Sequence, residues 1–494
     1  MTLCLLLMVC AAHAQTLSVF PAQVQLTDAG DPQRLVLVKT RGDGVTLDVT
    51  EQATVQFAQE GIVTWEDLRL KPVADGETQV TLTCEGESLV IPVKVQNATL
   101  VPPVSFRNDV LPSLMRAGCN TGACHGSASG KNGFRLSLFG FDPPVDYLSL
   151  TRDVRSRRLN IAIPEQSLML LKPEGAVDHE GGTRIAKGDG IYETLHRWIA
   201  EGTKNDPAEL PALTEIEILP REAVLEGEGA QQRFVVMAKY SDGTDADVTR
   251  LSILSTSDDS SLTIDADGKS TAGQKGEVYV MARYGTFAVV SQAIIIPKDQ
   301  ALTWPDVPEY NYIDNYVFAK LKKLRVPPAE LCTDQEFIRR AYLDVLGVLP
   351  TVEETRAFLE DQAGDKRAKL IDVLLQRPEF SELWAMKWAE ILRVSTGANT
   401  LDVKAMHRYN DWLRQAITSN TPLDQLVREL LTAEGGNFTN PATNFYIVEA
   451  DPAMMAENVA QLFAGIQIKC AQCHNHPFER WTMDDYYSFA AFFA

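Results

Sequence analysis

Long hydrophobic runs, basic charge and cysteine are all scarce in this 494-residue sequence, and each shortage narrows what the chain can be. Beyond the first residues no apolar stretch approaches the ~20 residues a membrane-spanning helix requires, so no transmembrane segment is expected in the mature chain. Lysine and arginine total 46 against 66 aspartates and glutamates, a net charge of -20 with no basic tract. Nucleic acid binding therefore lacks its usual electrostatic source. Eight cysteines in so long a chain are too sparse for a disulfide-built scaffold. What is present, 45 % apolar and 23 % charged residues, is the composition of packed globular units and excludes a wholly disordered or collagen-like chain. The length predicts roughly three to five domains.

The chain opens with Met1, an apolar stretch from Leu3 to Ala12, and Ala12-His13-Ala14 before Gln15. This is the apolar core and small-residue cleavage site of an export signal over residues 1–14, lacking the cationic start such signals usually have. The plainer alternative is a buried N-terminal strand. Removal of the signal would take Cys4 and Cys10 and leave Cys84, Cys119, Cys124, Cys332, Cys470 and Cys473. Cys84 and Cys332, each alone in its domain, are expected as buried thiols. The other four form two close pairs, each followed directly by histidine.

Residues 15–97 alternate apolar and polar side chains in short runs broken by Gly, Asp and Pro, the pattern of an all-β domain. Residues 212–297 share that character, and the two align as an internal repeat. Pro21 matches Pro220, Gln33-Arg34 matches Gln232-Arg233, Asp43-Gly44 matches Asp242-Gly243, and Asp48-Val49-Thr50 matches Asp247-Val248-Thr249. After one inserted residue, Gly76-Glu77 matches Gly276-Glu277. Asp-Gly suits a tight hairpin, and alternating strands bury one face in a sandwich. The pattern resembles the bacterial immunoglobulin-like group 2 family, most fully in Val235-Val236-Met237-Ala238-Lys239-Tyr240-Ser241-Asp242-Gly243. That resemblance implies spacer or adhesion modules on an exported protein. The acidic turns Asp258-Asp259 and Asp265-Ala266-Asp267-Gly268 offer too few oxygens for calcium and are expected to be solvated.

Between the repeats, residues 101–207 change character and hold the first Cys-His cluster. From residue 306 to 494 the apolar spacing is helical, as in Phe337, Ile338, Ala341, Tyr342, Val345 and Leu346. Trp384, Trp388 and Trp412 follow the same spacing and are expected in helix cores. The fold class expected is thus multidomain: two all-β immunoglobulin-like sandwiches, a small α-helical domain between them, and a C-terminal all-α domain.

The C-terminal cluster, Cys470-Ala471-Gln472-Cys473-His474, has the attachment pattern for haem c. Thiols three residues apart face one side of a helical turn, where each can form a thioether, and the adjacent histidine then ligates iron. The first cluster, Cys119-Asn120-Thr121-Gly122-Ala123-Cys124-His125, has the wider spacing of some multihaem cytochromes. A helix expected over Phe106 to Met115 and another over Ile191 to Gly202 open and close this region like a small cytochrome c domain. The sixth ligand would come from the loop between. Met169 sits in an apolar run and reads as core, so His179 is favoured opposite His125. A disulfide between Cys119 and Cys124, or zinc through Cys119, Cys124, His125 and His179, are the alternatives.

After Cys470 too little chain follows for an entire cytochrome fold. A second axial ligand there would be His476, Met483, an upstream residue such as His407, or absent. His476 is only two residues from His474, so both can hardly bind opposite faces of one haem. A second haem at Cys470, Cys473 and His474, zinc, and a Cys470-Cys473 disulfide all stay open.

The whole chain resembles a planctomycete-specific family of exported proteins. They join a cytochrome c-like domain, immunoglobulin-like group 2 domains and a helical domain of unknown function. The strings that carry this are Phe337-Ile338-Arg339-Arg340-Ala341-Tyr342-Leu343-Asp344, Tyr409-Asn410-Asp411-Trp412, Cys470-Ala471-Gln472-Cys473-His474-Asn475-His476-Pro477-Phe478 and Trp481-Thr482-Met483-Asp484-Asp485-Tyr486-Tyr487. Members generally continue into a further domain, so the end at Ala494 is expected to mark a fragment. The resemblance implies an exported haem protein and names no reaction.

The function expected is single-electron transfer by a c-type haem protein in the periplasm or at the cell surface, with a redox partner that the acidic surface would suit if it is basic. An electron carrier is expected ahead of a catalyst of a substrate reaction. A structural or adhesive surface protein with disulfide- or zinc-stapled clusters is the alternative from another class. A metal-dependent hydrolase using His474, His476, Glu479 and Asp484 is a third reading.

Overall fold

The computed structural model describes residues 16–300, 302–396, 401–476 and 479–494. The export-signal reading of residues 1–14 lies outside them. The chain divides into two compact units, one of residues up to Pro328 and one of Ala329–His476 with Arg480–Ala494.

In the first unit each sequence repeat builds ten strands in the same order. In the first copy, Thr16–Phe20, Val36–Thr40 and Thr46–Asp48 form one sheet. Val24–Leu26, Glu87–Val95, Gly76–Cys84 and Thr54–Phe57 form a second, and Gln33–Arg34, Arg69–Pro72 and Val63–Glu66 a third. The second copy reproduces all three, from Leu213–Leu219 to Phe287–Ile296. Alternation explains the layering: along Gly76–Cys84, Thr78, Val80, Leu82 and Cys84 point into the core while Glu77 and Gln79 face out. The Glu85-Gly86 turn that follows has φ of 50° and 85°, the doubly positive pair of a type I′ hairpin. Cys84 is buried, as expected from sequence, and Cys332 is half-buried.

The two sandwiches bind each other by a reciprocal clamp. Asp48 Oδ2 accepts the Arg233 backbone N–H at 2.8 Å, and Asp247 Oδ2 accepts the Arg34 N–H at 3.0 Å. Between the clamps, Val36 and Val38 bury against Val235 and Met237.

Residues 101–207 fold around Phe106, Leu114, Leu170, Leu195, Trp198 and Ile199. The stretch expected as one helix from Phe106 begins as a five-residue π-turn, Phe106–Val110, and continues as α-helix over Leu111–Arg116. The closing helix is Gly190–Ala200, capped by Asp189, whose Oδ1 accepts the Tyr192 N–H at 2.6 Å. Trp198 packs against Phe106 at 5.5 Å between centroids.

The helical region starts at Tyr312, but its first helix, Tyr312–Lys323, groups with the first unit and not with the later helices. Charge holds it there: Lys323 pairs with Glu222 at 2.8 Å and Lys320 with Glu277. The second unit contains the remaining helices, from Asp334–Leu346 to Met483–Ala490. Several are started by reciprocal caps, as at Thr333/Glu336 and Thr351/Glu354. Trp388 and Trp412 pack onto the core of this unit, but Trp384 is 36 % exposed, with Lys387 Nζ 4.3 Å from its ring centroid. Helical spacing identifies a face and not its depth, which is why Trp384 departs from its expected place. Among the described residues no helix is long and apolar enough to cross a membrane.

Candidate functional site

The first cluster grows out of the Leu111–Arg116 helix. Gly118, at φ 77°, turns the chain, and the Cys119 N–H returns to the Leu114 carbonyl at 2.9 Å. The intervening loop then folds on itself, with the Cys124 N–H on the Thr121 carbonyl at 3.0 Å and the His125 N–H on the Cys119 carbonyl at 2.9 Å. Gly126 is obligatory in this loop, because a Cβ there would lie 2.1 Å from the Asn120 carbonyl oxygen. Cys119 and Cys124 are half-buried thiols, not a disulfide. Burial pushes the Cys119 thiol up to about 11, with Cys124 adding to the shift, so it is protonated at neutral pH. The Asn120 side chain is fully buried, and neither its Oδ1 nor its Nδ2 has a hydrogen-bond partner.

His179 comes from the loop after the Leu168–Glu174 helix and meets His125 across the module. The two imidazoles are nearly parallel, at 11°, with centroids 6.3 Å apart. Each ring is fixed through Nδ1 to a backbone carbonyl: His125 to Phe134 at 3.1 Å and His179 to Gly182 at 2.9 Å. With Nδ1 as the donor, each Nε2 keeps its lone pair, the usual arrangement of a metal-ligating histidine. Gly181 leaves His179 its room, since a Cβ there would stand 2.9 Å from the ring Cε1. Met169, the other sixth-ligand candidate, is 9 % exposed and belongs to the apolar core.

Three cations surround the pair, and sequence reading passed over all of them. Arg158 lies over Phe134 at 4.3 Å, and Phe134 in turn packs 4.5 Å from His125. Lys172 donates to the Asp178 carbonyl at 3.0 Å, and Arg184 to the Gly181 carbonyl at 2.7 Å. Asp178 and Glu180 flank His179 in the same loop, so the surroundings of the pair are mixed in charge. No spacing rule marks the three cations, although Gly181-Gly182 beside Arg184 is the kind of flexible turn from which a side chain can reach back.

The same module should respond to pH in two directions. Burial raises the carboxyls of Asp146, which binds Ser137 N and Oγ at 2.5 Å each, and of Asp109 to about 6. Each folded acid keeps a proton that the unfolded chain has lost, so stability should fall as pH rises from about 4 to about 6. Burial lowers His125 below its ordinary 6.5, which favours folding of the neutral ring and opposes that loss only as pH approaches 6.5. Amide exchange in the Gly190–Ala200 helix, corrected for intrinsic rate, should show less protection at pH 6 than at pH 4. Equal or greater protection at pH 6 would contradict this balance.

The second cluster is arranged differently. Cys470 and Cys473 are exposed thiols on the single turn Lys469–Gln472 and just after it. Buried Ala471 anchors the turn in a small core with Ala456, Ala460 and Tyr486. The His474 Nδ1 lies 2.7 Å from the Asn475 carbonyl, the His476 N–H donates to the Trp481 carbonyl at 2.7 Å, and Tyr487 OH donates to the Gln472 carbonyl at 3.1 Å. His407 is exposed on the Val403–Thr418 helix, and Met483 is 37 % exposed. Among the described residues no three or more His, Cys, Asp or Glu side chains gather as a metal-ion site.

A family described as PSCyt2, protein of unknown function (DUF1549), matches residues 312–494, the helical region that includes the second cluster. No curated protein matches the chain. Among solved structures, domains 1–6 of the surface layer protein SbsC are 9 % identical with a TM-score of 0.16, over 58 % of this chain and 28 % of that one. SbsC domains 5–6 are 11 % identical with a TM-score of 0.23, over 57 % and 97 %. The neural ectodermal development factor IMP-L2 is 8 % identical with a TM-score of 0.20, over 57 % and 95 %. At such TM-scores these likenesses carry no weight for the function of this chain.

Proposed function

We propose that the chain is an exported electron-transfer protein that carries c-type haem at its first Cys-His cluster, in a cytochrome c-like module of residues 101–207. The observation that supports this is the histidine pair. His125 and His179 stand 6.3 Å apart, with both Nδ1 atoms already engaged. On this reading Cys119 and Cys124 would hold the haem through thioethers, and His125 and His179 would ligate its iron. Bound haem would supply a one-electron Fe(III)/Fe(II) couple. With two histidines to hold such a group, the chain would favour electron transfer over binding of a substrate. A second haem on Cys470, Cys473 and His474 belongs to the same proposal, with zinc as the alternative there. The sandwiches would act as spacers in the periplasm or at the cell surface, and the acidic surface would meet a basic redox partner.

The test is a pyridine haemochrome spectrum and intact mass of chain co-expressed with haem-attachment machinery. Cys119→Ala/Cys124→Ala and Cys470→Ala/Cys473→Ala variants are compared with it. Two haems, one lost with each double variant, are expected for a dihaem carrier. One haem lost only with the first makes the C-terminal cluster another kind of site. No covalent haem rejects the proposal in favour of a structural surface protein with stapled clusters.

A further inference from the structure

The reciprocal clamp between the sandwiches has unequal ends. At one end Arg233 meets two carboxylates, Asp48 at 3.1 Å from its Nη1 and Glu51 at its Nη2. At the other end the repeat places Arg250 at the position equivalent to Glu51, and the charge balance reverses. Arg34, Arg69 and Arg250 there converge on a single oxygen, Asp267 Oδ1, at 3.4, 3.7 and 2.6 Å. Asp247, the nearest other acid, gives one oxygen to the Arg34 backbone N–H and the other to Thr249 N and Oγ1.

Arg34, 6 % exposed, gives Nη1 to the Asp267 carbonyl and Nη2 to Asp267 Oδ1, while its buried Nε has no hydrogen-bond partner. Arg69 is 9 % exposed and stands between Arg34 on one neighbouring strand, where like charges repel, and Glu66 on the other, whose carboxylate pairs with Lys71. Its reach to Asp267 exceeds hydrogen-bond length. Burial, with repulsion from Arg34 and Arg250, holds Arg69 below the usual arginine range. Access is open on the outer side, because the Arg250 side chain is 63 % and the Asp267 side chain 50 % exposed.

We propose that Arg34, Arg69 and Arg250 form an anion site for a tetrahedral oxyanion, phosphate or sulfate, free or as an ester on a polymer. Planar guanidinium forks match pairs of such oxygens and give charge-assisted hydrogen bonds. The bound anion accepts from Arg69 and Arg250 and adds negative charge where three guanidiniums share the one oxygen Asp267 Oδ1. This site is independent of the haem reading, and either can fail alone.

Calorimetric titration of the full chain with phosphate, and separately with sulfate, at constant ionic strength made up with chloride tests the proposal. Saturable binding at one anion per chain is expected. Arg250→Glu, which installs the acidic residue of the first repeat, should abolish it. Arg69→Lys, keeping the charge but losing the fork, should weaken it by about 10-fold, the loss of one charge-assisted contact. Arg221→Ala, at an exposed arginine outside the cluster, should leave it unchanged. Heats that never saturate, or binding intact in both Arg250→Glu and Arg69→Lys, would overturn the proposal. A sulfated polysaccharide that binds more tightly than free sulfate, and loses that advantage in Arg69→Lys, identifies the polymer ester as the source. Equal affinities identify the free ion.

Discussion

In chain carrying covalent haem, His179→Ala is expected to leave attachment intact and to open one axial position. The reduced variant should bind carbon monoxide, whereas the parent should not, and added imidazole should restore the parent spectrum. Two separate loops hold the four side chains. On the proposed reading attachment would depend on Cys119 and Cys124 and ligation on His125, all in a loop closed by its own backbone bonds and by Gly126. His179 enters from another loop, held through Nδ1 to the Gly182 carbonyl at 2.9 Å. Removing it therefore disturbs neither the thiols nor His125. Met169→Leu is the control: Met169 packs in the core with Leu170 and Leu195, and an exchange of similar volume should cost less than ~1.5 kcal/mol and leave the spectrum unchanged. A spectral change in Met169→Leu with none in His179→Ala would reverse the ligand assignment.

The sequence announced the parts of this site that residue type encodes and was silent on those that backbone supplies. Cys119, Cys124 and His125 form a motif, and His179 stood out as a histidine among glycines. The carbonyls of Phe134 and Gly182 that orient the rings belong to every residue alike and have no signature. The same division explains the repeats. Asp-Val-Thr was legible because it is a local turn: Asp48 Oδ1 accepts Thr50 N and Oγ1 at 3.0 and 2.6 Å, and Asp247 does the same for Thr249 at 3.0 and 2.5 Å. The second oxygen of each aspartate crosses to an arginine 185 or 213 residues away, a relation that only tertiary structure creates. Helix Tyr312–Lys323 was read with the helices after it because its spacing is helical, yet its lysines tie it to Glu222 and Glu277 of the second sandwich. Periodicity identifies an element, and its partners decide which unit it joins.

Those crossed aspartates carry the largest expected stability effect. The Asp48 side chain is 2 % exposed and receives both the Arg233 N–H at 2.8 Å and its Nη1 at 3.1 Å. Asp48→Ala strips a buried arginine of its main acceptor, and breaking a buried pair from one side costs about 3–5 kcal/mol. Asp247→Ala should cost less, about 1–3 kcal/mol, because both aspartates hold their own Asp-Val-Thr turn but Asp247 takes only a backbone N–H from Arg34, whose guanidinium stays with Asp267. Urea midpoints of the first unit, followed by amide exchange in the Val36–Thr40 and Val235–Tyr240 strands, should therefore move further for Asp48→Ala. Equal shifts would mean that the two ends are energetically alike in spite of their different charge. In the double variant the two losses should exceed their sum or fall short of it by more than ~0.5 kcal/mol if the Val36, Val38, Val235 and Met237 contact couples the clamps. Simple additivity would make each clamp an independent fastening between two sandwiches.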